Sequence, residues 1–128
     1  MPEKSAVGSQ TIEIAESLLS AQLGFMTDEF GKLPACVTDD FSLGYVAGFL
    51  DALMQHAGIE DQVETFALVS VLTIKLFGER AGPGLSGRFL NSQHLPETQR
   101  GLRAGGNDAL AWLGNPDKPP FGWYGHCK

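Results

Sequence analysis

The chain has 128 residues, of which 43% are hydrophobic, and its formal net charge is −6. This length predicts a single domain, and the apolar fraction is sufficient to build a hydrophobic core. The acidic balance argues against nucleic-acid binding, because contacts with phosphates need a basic face.

The first predicted helix follows a loose tail at residues 1–8. Ser9 or Thr11 can cap its start, and Gly24 is a suitable end. Apolar residues recur at helical spacing between these points, which is typical of an amphipathic helix. The apolar positions are Ile12, Ala15, Leu18, Leu19, Leu23 and Met26. The polar positions, expected to lie largely outside, are Glu13, Glu16, Ser20 and Gln22.

The second predicted helix follows a loop at residues 27–38. It begins at Thr38, Asp39 or Asp40, where carboxylates suit the positive end of the helix dipole, and it runs to about Ala57. Little of its circumference is polar, and such a helix is normally buried on all sides. One small four-helix chain can hardly cover it, so we expect a homodimer contact.

The third predicted helix opens at Glu60 or Asp61 and ends near Phe77. Its β-branched residues also permit a strand, but its length favours a helix. Residues 78–95 are rich in glycine and are expected to form a long loop, of a kind that is often functional or disordered. A fourth helix runs from Pro96 to about Leu113.

The expected architecture is therefore an all-α, four-helix bundle-like domain with tails at residues 1–8 and 115–128. The last tail contains three aromatic residues on a turn-rich segment. Side chains of this kind are expected to dock on the bundle or on a partner subunit.

A ten-residue pattern, G-x-x-A-G-x-x-D-A-L, occurs at 44–53 and again at 101–110. It suggests two pseudo-symmetric helical hairpins, although glycine, alanine and leucine are abundant enough for chance to produce it. At 100° per residue each copy places its two glycines and its aspartate on one narrow stripe. Glycines at this spacing permit close helix packing of the GxxxG type. The glycines are Gly44, Gly48, Gly101 and Gly105.

The aspartates of the two copies, Asp51 and Asp108, are the candidate catalytic residues. A carboxylate on a buried stripe is unfavourable unless it has a partner. If the two approach each other, they can share a proton or hold a hard cation. Alternatively, each bonds a neighbouring group and sets the register of its helix.

A second candidate site, for a small anion, lies on the predicted loop and just downstream of it. Its glycines can turn backbone N–H groups toward an anion, and arginines add paired donors. The candidate residues are Arg80, Arg88, His94 and Arg103. The alternative is a flexible, solvent-exposed loop, and no phosphate-binding sequence motif is present.

No metal site or cofactor is expected, because His56, His94 and His126 lie in no zinc-binding or di-metal motif. Cys36 and Cys127 are too few for a disulfide framework and lie in no C-x-x-C motif. The start of the chain lacks the features of a signal peptide, and its longest apolar run is too short to span a bilayer. These observations predict a soluble protein in a reducing, cytoplasmic setting.

Charge is spread unevenly: residues 1–64 have a net charge of −9 and residues 65–128 a net charge of +3. This asymmetry either reflects two differently charged solvated faces or helps two copies to meet. The expected function is a non-catalytic binding or assembly module that acts as a homodimer and contacts a protein or a small anion. Nucleic-acid and membrane partners are not expected. The alternative is a metal- or anion-dependent hydrolase centred on Asp51 and Asp108.

Overall fold

The computed structural model describes residues 2–127, with side chains from residue 7 onward. Its elements are α1 (Pro2–Met26), a short 3-10 helix (Ala35–Thr38), α2 (Asp40–His56), α3 (Gln62–Ser92), α4 (Pro96–Gly114) and α5 (Gly122–Cys127). No strand occurs within residues 2–127, so the predicted all-α fold is confirmed. None of the helices in this range is both long enough and apolar enough to cross a membrane.

Helix α2 lies at the centre of the molecule. Residues 41–50 are all buried, and the helix contacts α1, α3, α4 and the 3-10 helix of the same chain. Its apolar circumference therefore reflects burial within one chain. The argument that α2 needs a second subunit to cover it is wrong, because α3 is longer than predicted and the C-terminal segment packs onto the bundle.

Helices α2 and α4 run in the same direction and approach each other closely at glycines. A Cβ atom placed on Gly48 would lie 2.8 Å from the carbonyl carbon of Leu102. A Cβ atom on Gly105 would lie 2.8 Å from the backbone nitrogen of Phe49. No real Cβ atom fits at these distances, so the backbones can meet here only because both positions are glycine.

Local signals set the ends of these helices. The Asp39 side chain accepts a 2.8 Å hydrogen bond from the Ser42 backbone and caps α2. Asp61 caps α3 in the same way, and Pro96 occupies the first turn of α4. Asp39 and Asp61 accept hydrogen bonds from free N–H groups at a helix start, and Pro96 has no N–H group that needs a partner. Such local signals explain why the sequence alone located the three starts.

The long loop predicted at residues 78–95 is not present. Residues 79–92 form a second helical arm of α3, separated from the first arm, 62–77, by Gly78 with φ 91°. Gly82 packs against Ile74 of the first arm, where a Cβ atom would lie 2.6 Å from the Ile74 Cα. Pro83 lies inside this arm, where it has no N–H group to donate to the carbonyl of Glu79 one turn earlier. The glycine and proline signals were misread as a loop because the contact with Ile74 stabilises a folded-back helix.

Both predicted tails are also partly helical. Residues 2–8 belong to α1, which is longer than expected, and Met1 lies outside the described residues. The C-terminal segment forms α5, whose Trp123 is 0% exposed and packs beside Tyr45 and Phe77. The expectation that the aromatic tail docks on the bundle is confirmed for Trp123.

Cys36 and Cys127 form a disulfide, with their Cα atoms 5.7 Å apart. The sequence interpretation found two cysteines too few for a disulfide framework, and their separation of 91 residues gives no local signal of the contact. The bond links the 3-10 helix that precedes α2 to the end of α5. The cysteines therefore give no support to a reducing setting, since stable disulfides are rare in cytosolic proteins.

Candidate functional site

A cleft of about 780 Å³ lies between α2, the two arms of α3, and α4. Its deeper lining is apolar and buried or half-buried, and it consists of Ala47, Phe66, Val69, Phe89 and Leu102. Its polar lining consists of Asp51, Gln55, Glu60, Gln62, Thr65 and Gln93. Two exposed apolar residues, Val63 and Leu90, also line it. The cleft exists because α3 bends at Gly78 and both arms face α2.

Asp51 is the half-buried carboxylate of this cleft. Its Oδ2 atom accepts a 2.8 Å hydrogen bond from Nε2 of Gln55, one turn further along α2. This contact holds the carboxylate at the cleft wall. The other charged lining residue among those described is Glu60, and no Lys, Arg or His lines the cleft. The site therefore carries only negative charge.

Asp108, the aspartate of the second occurrence of the ten-residue pattern, has a different role. Its Oδ2 atom accepts hydrogen bonds from the Tyr45 hydroxyl at 2.5 Å and from the Gly122 backbone at 3.0 Å. Burial and the hydrogen bond to Asp108 raise the pKa of Tyr45 well above its ordinary value, so the phenol stays protonated and remains a donor. Asp108 thus joins α4 to α2 and to the start of α5.

Gln22 completes this network from α1. Its Nε2 atom donates to the Tyr45 hydroxyl at 3.1 Å, and its Oε1 atom accepts from the backbone nitrogens of Trp123 and Tyr124, each at 3.0 Å. Gln22 is 1% exposed, so its placement on the polar side of helix one was wrong. A signal was present in the sequence, because Gln22 follows Leu19 by three residues and precedes Leu23 on the apolar stripe.

Asp51 and Asp108 do not share a hydrogen-bond partner. Asp51 faces the cleft, whereas Asp108 binds the C-terminal segment through Tyr45 and Gly122. Within the described residues, no group of three or more His, Cys, Asp or Glu side chains is arranged to hold a metal ion. Asp51 and Asp108 therefore do not form the shared site that the paired-carboxylate hypothesis requires.

The four residues of the candidate anion loop are also dispersed. The Arg88 guanidinium donates to the Thr38 carbonyl oxygen and lies 3.8 Å from Asp40, so a carboxylate of its own chain already pairs with it. Arg80, His94 and Arg103 are exposed. Because residues 79–92 are helical, their backbone N–H groups mostly form intrahelical hydrogen bonds and do not form an anion-binding loop.

A second polar contact lies beside the disulfide. The His126 ring nitrogen is 2.8 Å from Asp39 Oδ2, and the ring stacks on Phe41 with centroids 4.0 Å apart. Burial raises the pKa of Asp39, but hydrogen bonds from His126 and Ser42 outweigh it and hold this pKa below its ordinary value. His126 thus helps to fasten α5 to the start of α2. His56 is exposed in the last turn of α2.

Comparisons with known family models, curated proteins and solved structures found no match to this chain. Two features of the structure bear on function: the acidic cleft around Asp51, and the network that docks the C-terminal segment through Asp108. The first is open to solvent and to ligands, and the second is mostly buried and internally bonded.

Proposed function

We propose that the protein is a non-catalytic binding and assembly module whose ligand site is the cleft beside Asp51. The observation that carries this proposal is the cleft itself. Its volume, about 780 Å³, is in the range that accommodates a small organic molecule, and it combines an apolar lining with a few convergent polar groups. A binding site of this kind needs no catalytic group.

The chemistry of the polar lining favours binding over catalysis. Gln55, Gln62 and Gln93 supply amides, which donate and accept hydrogen bonds but do not transfer protons near neutral pH. Asp108, the second residue of the hydrolase alternative, is bonded to the Tyr45 hydroxyl and the Gly122 backbone. Its role in holding the C-terminal segment supports the non-catalytic proposal.

The experiment is a fragment titration of the ¹⁵N-labelled protein with indole, followed by amide chemical shifts. Thr65→Trp fills the cleft, while Val71→Trp adds the same ring to the same arm of α3 at a position outside the cleft lining. We expect shifts confined to the cleft, lost in Thr65→Trp and kept in Val71→Trp. Shifts scattered over the surface, or unchanged in Thr65→Trp, would refute a cleft site.

The homodimer is proposed on a separate surface, the aromatic patch formed by Phe25, Phe121 and Tyr124. The ring centroids are 5.7 to 6.5 Å apart, and Phe25 is 63% exposed and Phe121 46% exposed. Adjacent exposed rings are typical of interface cores, and a second copy can cover them through a twofold contact of the patch with itself.

Light scattering tests this dimer. We expect a dimer at micromolar concentration, a monomer for the double variant Phe25→Ser and Phe121→Ser, and an unchanged dimer for Phe30→Ser. Phe30 is 79% exposed but forms no ring contact with the patch, so it controls for loss of an exposed ring. A monomeric wild-type protein would exclude the proposal.

We also propose that α2 and α4 are equivalent copies of one helix, arising from internal duplication. The support is reciprocity of contacts. A Cβ atom on Gly44 would lie 3.0 Å from the Leu102 nitrogen, and one on Gly101 would lie 2.9 Å from the Tyr45 nitrogen. Aligning Gly44 with Gly101 also aligns Tyr45 with Leu102, so each contact has its counterpart.

The equivalence of the two copies predicts that Gly44→Ala and Gly101→Ala destabilise the protein equally, within about 0.5 kcal/mol. Urea unfolding of both variants measures this. A loss at one position alone would show that only one copy carries the packing, and it would contradict the equivalence.

A further inference from the structure

We infer that the cleft binds an organic cation: a primary ammonium group attached to an apolar body. This inference rests on the proposed function of the cleft as a ligand site, and it adds the chemical class of the ligand. Three features of the cleft lead to it: the sign of its charge, the available oxygen atom of the Asp51 carboxylate, and the aromatic rings of its lining.

The charge of the cleft has one sign. Asp51 and Glu60 are its charged lining residues among those described, and no cationic side chain of the cleft neutralises them. A cationic ligand is therefore attracted, and an anion repelled, by the lining of the cleft.

The Asp51 carboxylate has one oxygen available. Oδ2 accepts from Gln55, and among the described residues Oδ1 has no hydrogen-bond partner. An ammonium group in the cleft can donate to Oδ1 while Gln55 keeps the carboxylate in place. A charge-assisted hydrogen bond of this kind is shorter and stronger than one between neutral groups.

The lining beyond Asp51 suits the apolar body of such a ligand. Phe66 and Phe89 present aromatic surface, and Val69 and Leu102 present aliphatic surface. Aromatic faces attract cations as well as apolar groups. This is the opposite charge preference from the small anion expected at the second candidate site. The structure favours the cation because Arg88 pairs with Asp40. None of the candidate anion-binding residues Arg80, Arg88, His94 and Arg103 lines the cleft.

The test compares three soluble probes that share a phenyl ring: benzylammonium, benzyl alcohol and benzoate. Amide shifts of the ¹⁵N-labelled full chain report binding at pH 7. We expect benzylammonium to bind at least about fivefold more tightly than benzyl alcohol, with benzoate weakest. Raising the salt concentration is expected to weaken benzylammonium binding while leaving benzyl alcohol binding unchanged.

Charge-neutralising variants locate the effect. Asp51→Asn keeps an acceptor for Gln55 but removes the charge. Glu60→Gln removes the second charge of the cleft at an exposed position that does not disturb the core. Each is expected to weaken benzylammonium binding, by about fivefold for Asp51→Asn, without affecting benzyl alcohol. Asp117→Asn removes the same charge outside the cleft lining, and binding is expected to be unchanged.

The possible outcomes separate this inference from the proposed function. If benzyl alcohol shifts the cleft amides as strongly as benzylammonium, or if Asp51→Asn has no more effect than Asp117→Asn, the cleft binds ligands but does not select cations. If none of the probes shifts these amides, the cleft is not a small-molecule site and the proposed function fails with the inference. If a lysine-rich peptide shifts them and benzylammonium does not, the partner is a protein and the small-cation assignment is overturned.

Discussion

Adjacent glycines of α4 are expected to respond in opposite directions to the same substitution. A Cβ atom on Gly105 would lie 2.8 Å from the Phe49 nitrogen and 2.9 Å from the Tyr45 carbonyl carbon. These are backbone atoms at the centre of the α2–α4 contact, and they cannot rotate away as a side chain can. On Gly106 the nearest atom would be the Gly48 carbonyl oxygen at 3.7 Å, an ordinary van der Waals distance.

The magnitudes follow from two opposing effects. Alanine is favoured over glycine inside a helix by about 1 kcal/mol. Overpacking a tight contact costs about 1–3 kcal/mol, and the rigid backbone around Gly105 places this site at the upper end. Gly105→Ala should therefore lower the free energy of unfolding by about 2 kcal/mol. Gly106→Ala should raise it by about 0.5–1 kcal/mol, because only the helix propensity changes.

Urea unfolding followed by circular dichroism measures both free energies, and thermal melts should show the same order. In a chain of this size, 1 kcal/mol corresponds to about 3–5 °C in Tm. If Gly105→Ala is as stable as the wild type or more stable, the close approach of α2 and α4 is absent. If both variants lose stability equally, the loss does not come from the contact at Gly105.

Three further predictions concern the C-terminal segment and its attachment. Reduction of the Cys36–Cys127 disulfide, or replacement of both cysteines by serine, should lower the free energy of unfolding by about 3–5 kcal/mol, because the bond closes a long loop in the unfolded chain. Urea midpoints with and without reductant measure this effect. An unchanged midpoint would contradict it. Tyr45→Phe removes the hydroxyl that joins the half-buried Asp108 carboxylate to Gln22, and it should cost about 1–3 kcal/mol, measured in the same way. A neutral effect would mean that this hydroxyl does not stabilise the network. The lowered pKa of Asp39 in the folded state stabilises the fold above its unfolded-state pKa of about 3.8, and this stability is lost as the pH falls below that value. Asp39→Asn keeps a cap for α2 and should flatten this acid dependence, and an unchanged slope of stability against pH between 5 and 2 would show that another group is responsible.

Helix positions that depend on short-range interactions were predictable. Asp39, Asp61 and Pro96 mark helix starts because capping satisfies N–H groups within three residues along the chain. The apolar periodicity of α1 and the apolar circumference of α2 likewise indicate helices directly. Each of these signals concerns residues that lie within one or two helical turns of each other, so no knowledge of the tertiary fold is needed.

Errors in the prediction arose where distant residues decide the outcome. Residues 79–92 contain glycine and proline typical of a loop, yet contact with Ile74 makes them a helical arm. Gln22 is polar, yet the backbone of Trp123, at the other end of the chain, gives it a partner in the core. The cysteine pairing could not be inferred from spacing for the same reason.

The candidate site shows the same division. The sequence alone identified Asp51 and Asp108 as unusual carboxylates, because each interrupts a stripe of small residues. Only the tertiary structure decided their separate environments, because the bend at Gly78 creates a cleft beside Asp51 while the C-terminal segment returns to Asp108. Helical periodicity and capping are local properties of the chain, whereas the surroundings of a side chain depend on which distant elements pack against it.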